Sequence, residues 1–120
     1  MKKLIRINCK TGIIKVQPEG EVLKNLGGRA LTSHLLLNEV NPACDPLGRE
    51  NKLVIAGMLL AGTTISTANR LSFGTKSPLT GGIKEANVGG TAGGYLANHG
   101  IKAMVLEDVP DEDTCRILHI

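Results

Sequence analysis

Glycine is concentrated in one part of this 120-residue chain, and this concentration constrains the fold more than any other feature. Ten of the 15 glycines lie between Gly57 and Gly100. Glycine allows a positive φ, and it allows backbone to come close to another chain segment or to a ligand because it has no Cβ. We therefore expect short strands joined by tight turns, with backbone that a ligand can approach.

The turn at residues 87–90 is the best candidate for such an approach. It follows a strand-like run at 82–86 and precedes a helix predicted at 91–99. The N–H groups and positive dipole end of that helix would face an anion. Arg70 adds a forked, permanently charged donor and Lys76 a mobile charge. The predicted anion-binding residues are Arg70, Lys76, Asn87, Val88, Gly89 and Gly90.

A simpler interpretation exists for each of these residues alone, because glycine turns and solvent-exposed cations are common. The segment is also neither of two familiar phosphate-binding motifs. No Gly-Lys-Ser/Thr follows the glycines, so it is not a P-loop, and the Gly-x-Gly-x-x-Gly spacing of dinucleotide-binding proteins is absent. The hypothesis depends on the residues acting together.

Cysteine and histidine usage predicts no metal cluster and no catalytic residue in this chain. The three cysteines, Cys9, Cys44 and Cys115, are isolated and too few for a four-cysteine iron–sulfur cluster. An odd count of isolated cysteines favours reduced thiols in the cytoplasm. The three histidines have no metal-ligand spacing, and His99, before Gly100, is interpreted as the end of a helix.

Composition excludes two broad classes of function. Phe73 and Tyr95 are the only aromatic residues, so the net charge of +3 does not indicate a nucleic-acid binder that stacks bases. The longest apolar run, 53–62, is well below the roughly 18 residues that cross a bilayer, and we expect a buried strand and no membrane partner. The length suits a single domain over 1–120, with 42% hydrophobic residues.

Pattern and turn residues predict an α+β fold with hairpins, mixed sheets and a few short helices. The first hairpin pairs 3–9 with 13–17 through a turn at Gly12. Arg29, at the start of the second predicted helix, is interpreted as contacting another part of the protein instead of a phosphate. The predicted helices are 19–26, 30–40 and 91–99, and the remaining predicted strands are 53–57, 70–76, 82–86, 102–106 and 116–120.

Six motifs in order give the chain a resemblance to a known family. They lie at residues 5–16, 26–31, 45–56, 75–81, 86–90 and 99–107. Taken together, they resemble the first portion of the N-terminal domain of the aldehyde ferredoxin oxidoreductases, tungsten or molybdenum enzymes that oxidise aldehydes to carboxylic acids. The chain departs from the family pattern at 58–63, where a Gly-Pro turn is lost, and at 65–67.

The resemblance implies a role for the predicted anion site. In this family, the N-terminal domain forms a base for a metal held by two pterin dithiolenes whose phosphates are bridged by Mg²⁺. Arg70 would contact a pterin or its phosphate, and the Asn87 carbonyl would bind Mg²⁺. The backbone of 88–90 would lie against the same cofactor. Iron–sulfur ligands and a second pterin motif belong to later domains of the family's longer chains.

Two function classes remain open at this stage. One is the pterin-binding portion of an aldehyde oxidoreductase that passes electrons to ferredoxin in the full-length enzyme and is inactive as this chain alone. The other is a stand-alone, non-catalytic binding or assembly protein that keeps the fold; a binder of phosphorylated metabolites is a weaker third. We also expect a homo-oligomer, because a partial domain should expose an apolar face or a sheet edge.

Overall fold

The computed structural model describes all residues from 1 to 120 and contains one six-stranded sheet. The strands lie in the order β2-β1-β6-β3-β4-β5, with β1 and β6 parallel and every other neighbouring pair antiparallel. This confirms the predicted α+β fold. The elements, in chain order, are β1 (Lys3–Asn8), β2 (Ile14–Pro18), α1 (Glu21–Lys24), α2 (Gly28–Glu39), β3 (Lys52–Gly57), β4 (Leu71–Lys76), β5 (Ile83–Val88), α3 (Ala92–Asn98) and β6 (Ile101–Glu107).

Helix α2 covers one face of the sheet and forms the larger core. Its apolar side chains recur at helical spacing, and they pack against alternate residues of the central strands β3 and β6. A Cβ at Gly74 of β4 would lie 2.7 Å from the Cβ of Thr32. Helix α2 therefore lies so close to β4 that only glycine fits at this position. The buried residues of this core are Leu4, Leu31, Leu35, Leu36, Val54, Ala56, Ala103 and Val105.

Helix α3 covers part of the opposite face, where Leu96 packs on Ile55, Leu71 and Met104. The C-terminal residues cross the same face, and Ile120 lies in the wall of an apolar groove beside α3. Residues 116–120 form no strand, so that prediction is wrong. These residues are exposed, and they do not pair at a sheet edge.

The other predicted elements are present with shifted ends. The first hairpin is confirmed, and Gly12 in its turn has a φ of 76°. Helix α1 has only four residues, and α2 begins two residues before the predicted start. Strand β5 continues to Val88, two residues further than predicted. None of the three helices has the length and apolar composition needed to cross a membrane.

Four charged side chains link α2 to the strands β1, β3 and β6. Glu39 accepts two hydrogen bonds from Arg6, at 2.6 and 2.8 Å, and one from Lys52 at 2.9 Å. Glu107 pairs with the same two cations, at 3.4 and 2.9 Å. The hydrogen bonds from Arg6, reinforced by Lys52, lower the pKa of Glu39 to about 2 against the opposing effect of burial. Because its charges balance, we interpret the network as structural.

Candidate functional site

The pairing of β4 with β5 brings Arg70 beside the 87–90 turn. Leu71, the first residue of β4, pairs with Val88, the last residue of β5, and Ser72 pairs with Asn87. Arg70 immediately precedes this end of the ladder, and Gly89 immediately follows it. The two segments therefore meet at one corner of the sheet.

The register also determines which backbone groups of β5 are free. The Ser77 N–H donates to the Gly82 carbonyl at 2.8 Å, just beyond the strand ends. Because hydrogen-bonded pairs alternate in an antiparallel ladder, residues 82, 84, 86 and 88 point their backbone groups toward β4. Ile83, Glu85 and Asn87 point theirs away from it. Since β5 is the last strand of the sheet, the Asn87 carbonyl is directed outward, where no neighbouring strand donates a hydrogen bond to it.

The neighbouring pair of strands gives the same alternation independently. The Met58 N–H donates to the Arg70 carbonyl at 3.2 Å, which directs the backbone groups of Arg70 and Ser72 toward β3. The backbone groups of Leu71 must then face β5 and form hydrogen bonds with Val88. The Ser77–Gly82 contact, at the far end of the β4–β5 ladder, gave the same result. The outward direction of the Asn87 carbonyl therefore rests on two separate contacts.

A buried hydroxyl holds the side chain of Asn87. Ser72 is fully buried, and its Oγ donates to Asn87 Oδ1 at 2.6 Å. This contact fixes the side chain on the α2 face while the carbonyl points out of the edge. Sequence reasoning missed Ser72, although a serine between the apolar residues Leu71 and Phe73 was a signal that a polar partner lay nearby.

The glycines around the corner are of two kinds. Gly89 and Gly90 are exposed, and a Cβ at either position would meet nothing within 4 Å. Gly90 has a φ of 105°, a backbone conformation that favours glycine. Gly93, in contrast, is buried, and its Cβ would lie 2.4 Å from the Asn69 carbonyl oxygen. The first turn of α3 is thus packed against protein at Gly93, and the open backbone lies at Gly89 and Gly90.

Asn69 positions the residue next to it, Arg70. Its Oδ1 accepts a hydrogen bond from the Gly62 N–H at 2.9 Å, and its side chain also fills the space beside Gly94. The loop before β4 and the start of α3 are therefore both tied to Asn69. Sequence reasoning did not single out this residue, because no local pattern shows that the loop and the helix converge on it.

Arg70 is the uncommitted cation at this corner. Its side chain is exposed and makes neither a hydrogen bond nor an ion pair with the rest of the chain. Arg29, by contrast, pairs with Glu85 of β5, as expected for an arginine that contacts another part of the protein. The guanidinium of Arg70 is therefore free to bind an anion.

Lys76 does not share the site. It pairs with Ile83 at the opposite end of β4, and its Nζ donates to the carbonyls of Pro42 and Cys44 at 2.6 and 2.5 Å. Six residues of extended chain separate it from Arg70, which is roughly 20 Å. The structure thus assigns Lys76 to holding the loop before β3, and it does not bring this charge to the predicted anion site.

Comparison with known proteins identifies the fold and the family. Residues 4–120 match the family model described as "Aldehyde ferredoxin oxidoreductase, N-terminal domain". The chain belongs to this family. It is 49% identical over 107 residues to the tungsten-containing aldehyde ferredoxin oxidoreductase of Pyrococcus furiosus, and 47% identical over 107 residues to that of Thermococcus kodakarensis. Each alignment covers 88% of this chain and 18% of the relative.

A solved structure shares the architecture. It is the active site complex BamBC of benzoyl coenzyme A reductase in complex with 1,5-dienoyl-CoA, which superposes with a TM-score of 0.86 and is 25% identical in sequence. The superposition covers 92% of this chain and 17% of the chain in that complex. The chain spans about a fifth of the length of the curated relatives it matches, or less. The sheet and its helices are therefore those of the family's N-terminal domain.

Proposed function

We propose that this chain is the part of an aldehyde ferredoxin oxidoreductase-like protein that binds a tungsten- or molybdenum-pterin cofactor. The binding surface is the corner formed by Arg70 and residues 87–90. Arg70 would hold a phosphate or the pterin edge, and the Asn87 carbonyl would be a ligand of the Mg²⁺ that accompanies the phosphates. The backbone at Val88, Gly89 and Gly90 lies against the cofactor. When bound, the metal supplies the redox chemistry of aldehyde oxidation.

The free Asn87 carbonyl is the observation that carries this proposal. Mg²⁺ prefers oxygen ligands in octahedral geometry and keeps several waters, so one protein carbonyl together with phosphate oxygens suits it. The carbonyl points out of the sheet edge, and the Ser72–Asn87 contact holds the residue in place. The donor set therefore fits the ion without a carboxylate cluster.

The surroundings of this carbonyl suit the phosphates as well. Arg70 is charged, exposed and unpaired, and a forked guanidinium binds a phosphate through two parallel hydrogen bonds. Gly89 and Gly90 leave open space where a Cβ would otherwise stand. A flat, heteroaromatic group can thus come close to the backbone beside the charge.

The chain alone is expected to carry out no aldehyde oxidation. Its three cysteines are separate free thiols, so we propose that the iron–sulfur ligands, and the contact with ferredoxin, belong to the part of the relatives that this chain does not match. We place the protein in the cytoplasm. Aldehyde-dependent reduction of viologen dye by this purified chain, reconstituted with cofactor, would contradict this division of roles.

The binding site is tested by amide chemical shifts of ¹⁵N-labelled chain titrated with magnesium pyrophosphate, which stands in for the cofactor phosphates. We expect the amides of Val88 to Gly90 to shift. Arg70→Ala should weaken binding about tenfold or more, since a charge-assisted hydrogen bond contributes about 1.5–3 kcal/mol. The matched control is Lys84→Ala, which removes a cation from the edge strand β5 but lies away from the corner.

Two outcomes of this titration would contradict the proposal. One is the absence of any shift at millimolar ligand. The other is equal weakening by Arg70→Ala and Lys84→Ala, which would show a general charge effect. Gly89→Ala adds a further check. The new methyl group would stand in open space, so the stability of the chain should not change, but the same methyl group would lie against a bound ligand.

A further inference from the structure

Residues 109–116, which we call the C-terminal segment, contact the turn of the first hairpin. Arg116 Nη2 donates a hydrogen bond to the Lys10 carbonyl at 2.5 Å. Its other terminal nitrogen, Nη1, lies 3.3 Å from the position that a Cβ at Gly12 would occupy. A second and weaker contact joins Lys10 Nζ to Asp111 Oδ1 at 3.9 Å. The segment therefore meets the turn at two points.

A cysteine adjoins each residue of the Arg116–Lys10 hydrogen bond. Cys9 immediately precedes Lys10, and Cys115 immediately precedes Arg116. Both cysteines line one cavity of about 520 Å³ between the C-terminal segment and the hairpin. Both are free thiols, with Cys9 half-buried and Cys115 exposed. The third cysteine, Cys44, is buried and does not line this cavity.

The alternation of side chains along β1 directs Cys9 toward the C-terminal segment. Leu4 lies in the core under α2, and Arg6 pairs with Glu39 of that helix. Ile5 packs on the opposite face, which carries α3. The ladder continues one residue past β1, since the Cys9 N–H donates to the Glu107 carbonyl at 2.7 Å. Cys9 is therefore in line with Ile5, on the face that the C-terminal residues cross.

We propose that Cys9 and Cys115 are a redox-active pair that forms a reversible disulfide, which fastens the C-terminal segment to the first hairpin. The exposed Cys115 reacts first, and its thiolate attacks a disulfide oxidant such as oxidised glutathione and releases one glutathione thiol. Cys9 then attacks the mixed disulfide and releases the second. The two cysteine thiols lose two protons and two electrons, and the oxidant becomes two molecules of reduced glutathione.

The disulfide is a response to oxidation. In a reducing cytoplasm the two residues stay as thiols, and a dithiol reductant restores them after oxidation. The pair is also far from the proposed cofactor corner. Cys9 follows the end of β1, which is parallel to β6, whereas Arg70 precedes β4 at the opposite end of the sheet. The inference therefore does not rest on the proposed function.

Peptide mapping by mass spectrometry tests the pairing. The folded chain is incubated with oxidised glutathione, the remaining thiols are alkylated, and trypsin is added. The expected disulfide joins peptides 7–10 and 103–116, because trypsin cleaves after lysine and arginine. Cys9→Ser and Cys115→Ser should each abolish this product. Cys44→Ser is the matched control and should retain it, and dithiothreitol should reverse it.

Two further measurements test the contact with the hairpin. Arg116→Ala should slow formation of the disulfide about five- to tenfold, because it removes the hydrogen bond that holds Cys115 beside the turn. Arg70→Ala, which removes an exposed arginine at the other end of the sheet, should leave the rate unchanged. Hydrogen exchange at the amides of residues 111–116 should be slower in the oxidised Cys44→Ser chain than in the reduced one.

Four results would overturn the proposal. A lasting glutathione adduct on Cys115 without a disulfide to Cys9 would show that the two thiols do not meet. Pairing of Cys44 as often as Cys9 would show that the folded structure does not select the pair. Equal rates for Arg116→Ala and wild type would deny the positioning role of Arg116. Unchanged hydrogen exchange after oxidation would show that the disulfide does not fasten the segment.

Discussion

Replacement of Glu39 by glutamine tests whether the charged network holds α2 on the sheet. Glutamine keeps the shape of the side chain but removes the charge, which leaves Arg6 and Lys52 facing only Glu107. The expected loss can be worked out from the pKa of Glu39. Its fall from 4.5 to about 2 corresponds to about 3 kcal/mol at roughly 1.36 kcal/mol per unit. Solvent screening of a side chain that is 23% exposed reduces this to about 2 kcal/mol.

The dependence on pH has a definite sign. The pKa of Glu39 is lower in the folded chain than in the unfolded one, so the carboxylate contributes its full stabilisation above about pH 4.5. That contribution is lost as the pH falls from about 4.5 toward 2. The difference in unfolding free energy between wild type and Glu39→Gln should therefore be constant near neutral pH and shrink in acid.

Urea unfolding followed by circular dichroism, at pH 7 and at steps down to pH 3, measures this difference. The control is Glu21→Gln, since Glu21 is 86% exposed in its pair with Lys24 and should change stability by less than about 1 kcal/mol. The reasoning is refuted if Glu39→Gln is as stable as wild type at pH 7. It is equally refuted if the difference stays the same down to pH 3.

Two further predictions concern packing and a buried ion pair. Gly74→Ala should lower the free energy of unfolding by about 1–3 kcal/mol in urea titrations, because its methyl group meets Thr32, whereas Gly82→Ala should be near neutral in its open position. Lys102→Met should cost about 3 kcal/mol by the same measurement, since it leaves the carboxylate of Glu19, which is 9% exposed, without a cation.

Local pattern was sufficient where a single segment decides the structure. Gly12 specified the first hairpin, and the pattern of residues 30–40 predicted the helix that is observed as α2. The apolar run 53–62 was predicted to contain a buried strand, and β3 lies in the middle of the sheet. These features depend on propensity and periodicity, which a sequence contains.

Features that depend on which segments meet could not be predicted in the same way. Lys76 was grouped with Arg70 by closeness in sequence, but an extended strand carries six residues far apart, and the lysine binds carbonyls at the other end. Residues 116–120 have a strand-like composition, yet they stay exposed and join no sheet. Alternate residues of β5 point their backbone groups toward β4 or away from it. Which of these applies to Asn87 depends on the register between β4 and β5, and no local sequence pattern reveals that register.

The glycine concentration that opened the sequence analysis has two separate causes. Gly74 and Gly93 are glycines because protein atoms occupy the position of a Cβ, so these residues set how closely the helices approach the sheet. Gly89 and Gly90 meet nothing in the chain. Packing explains the first pair, and a positive φ explains Gly90, but neither explains Gly89. The open glycines follow directly on the edge strand β5, beside an unpaired arginine. That coincidence is what a surface that receives another molecule requires, and it supports the proposed cofactor corner at Asn87.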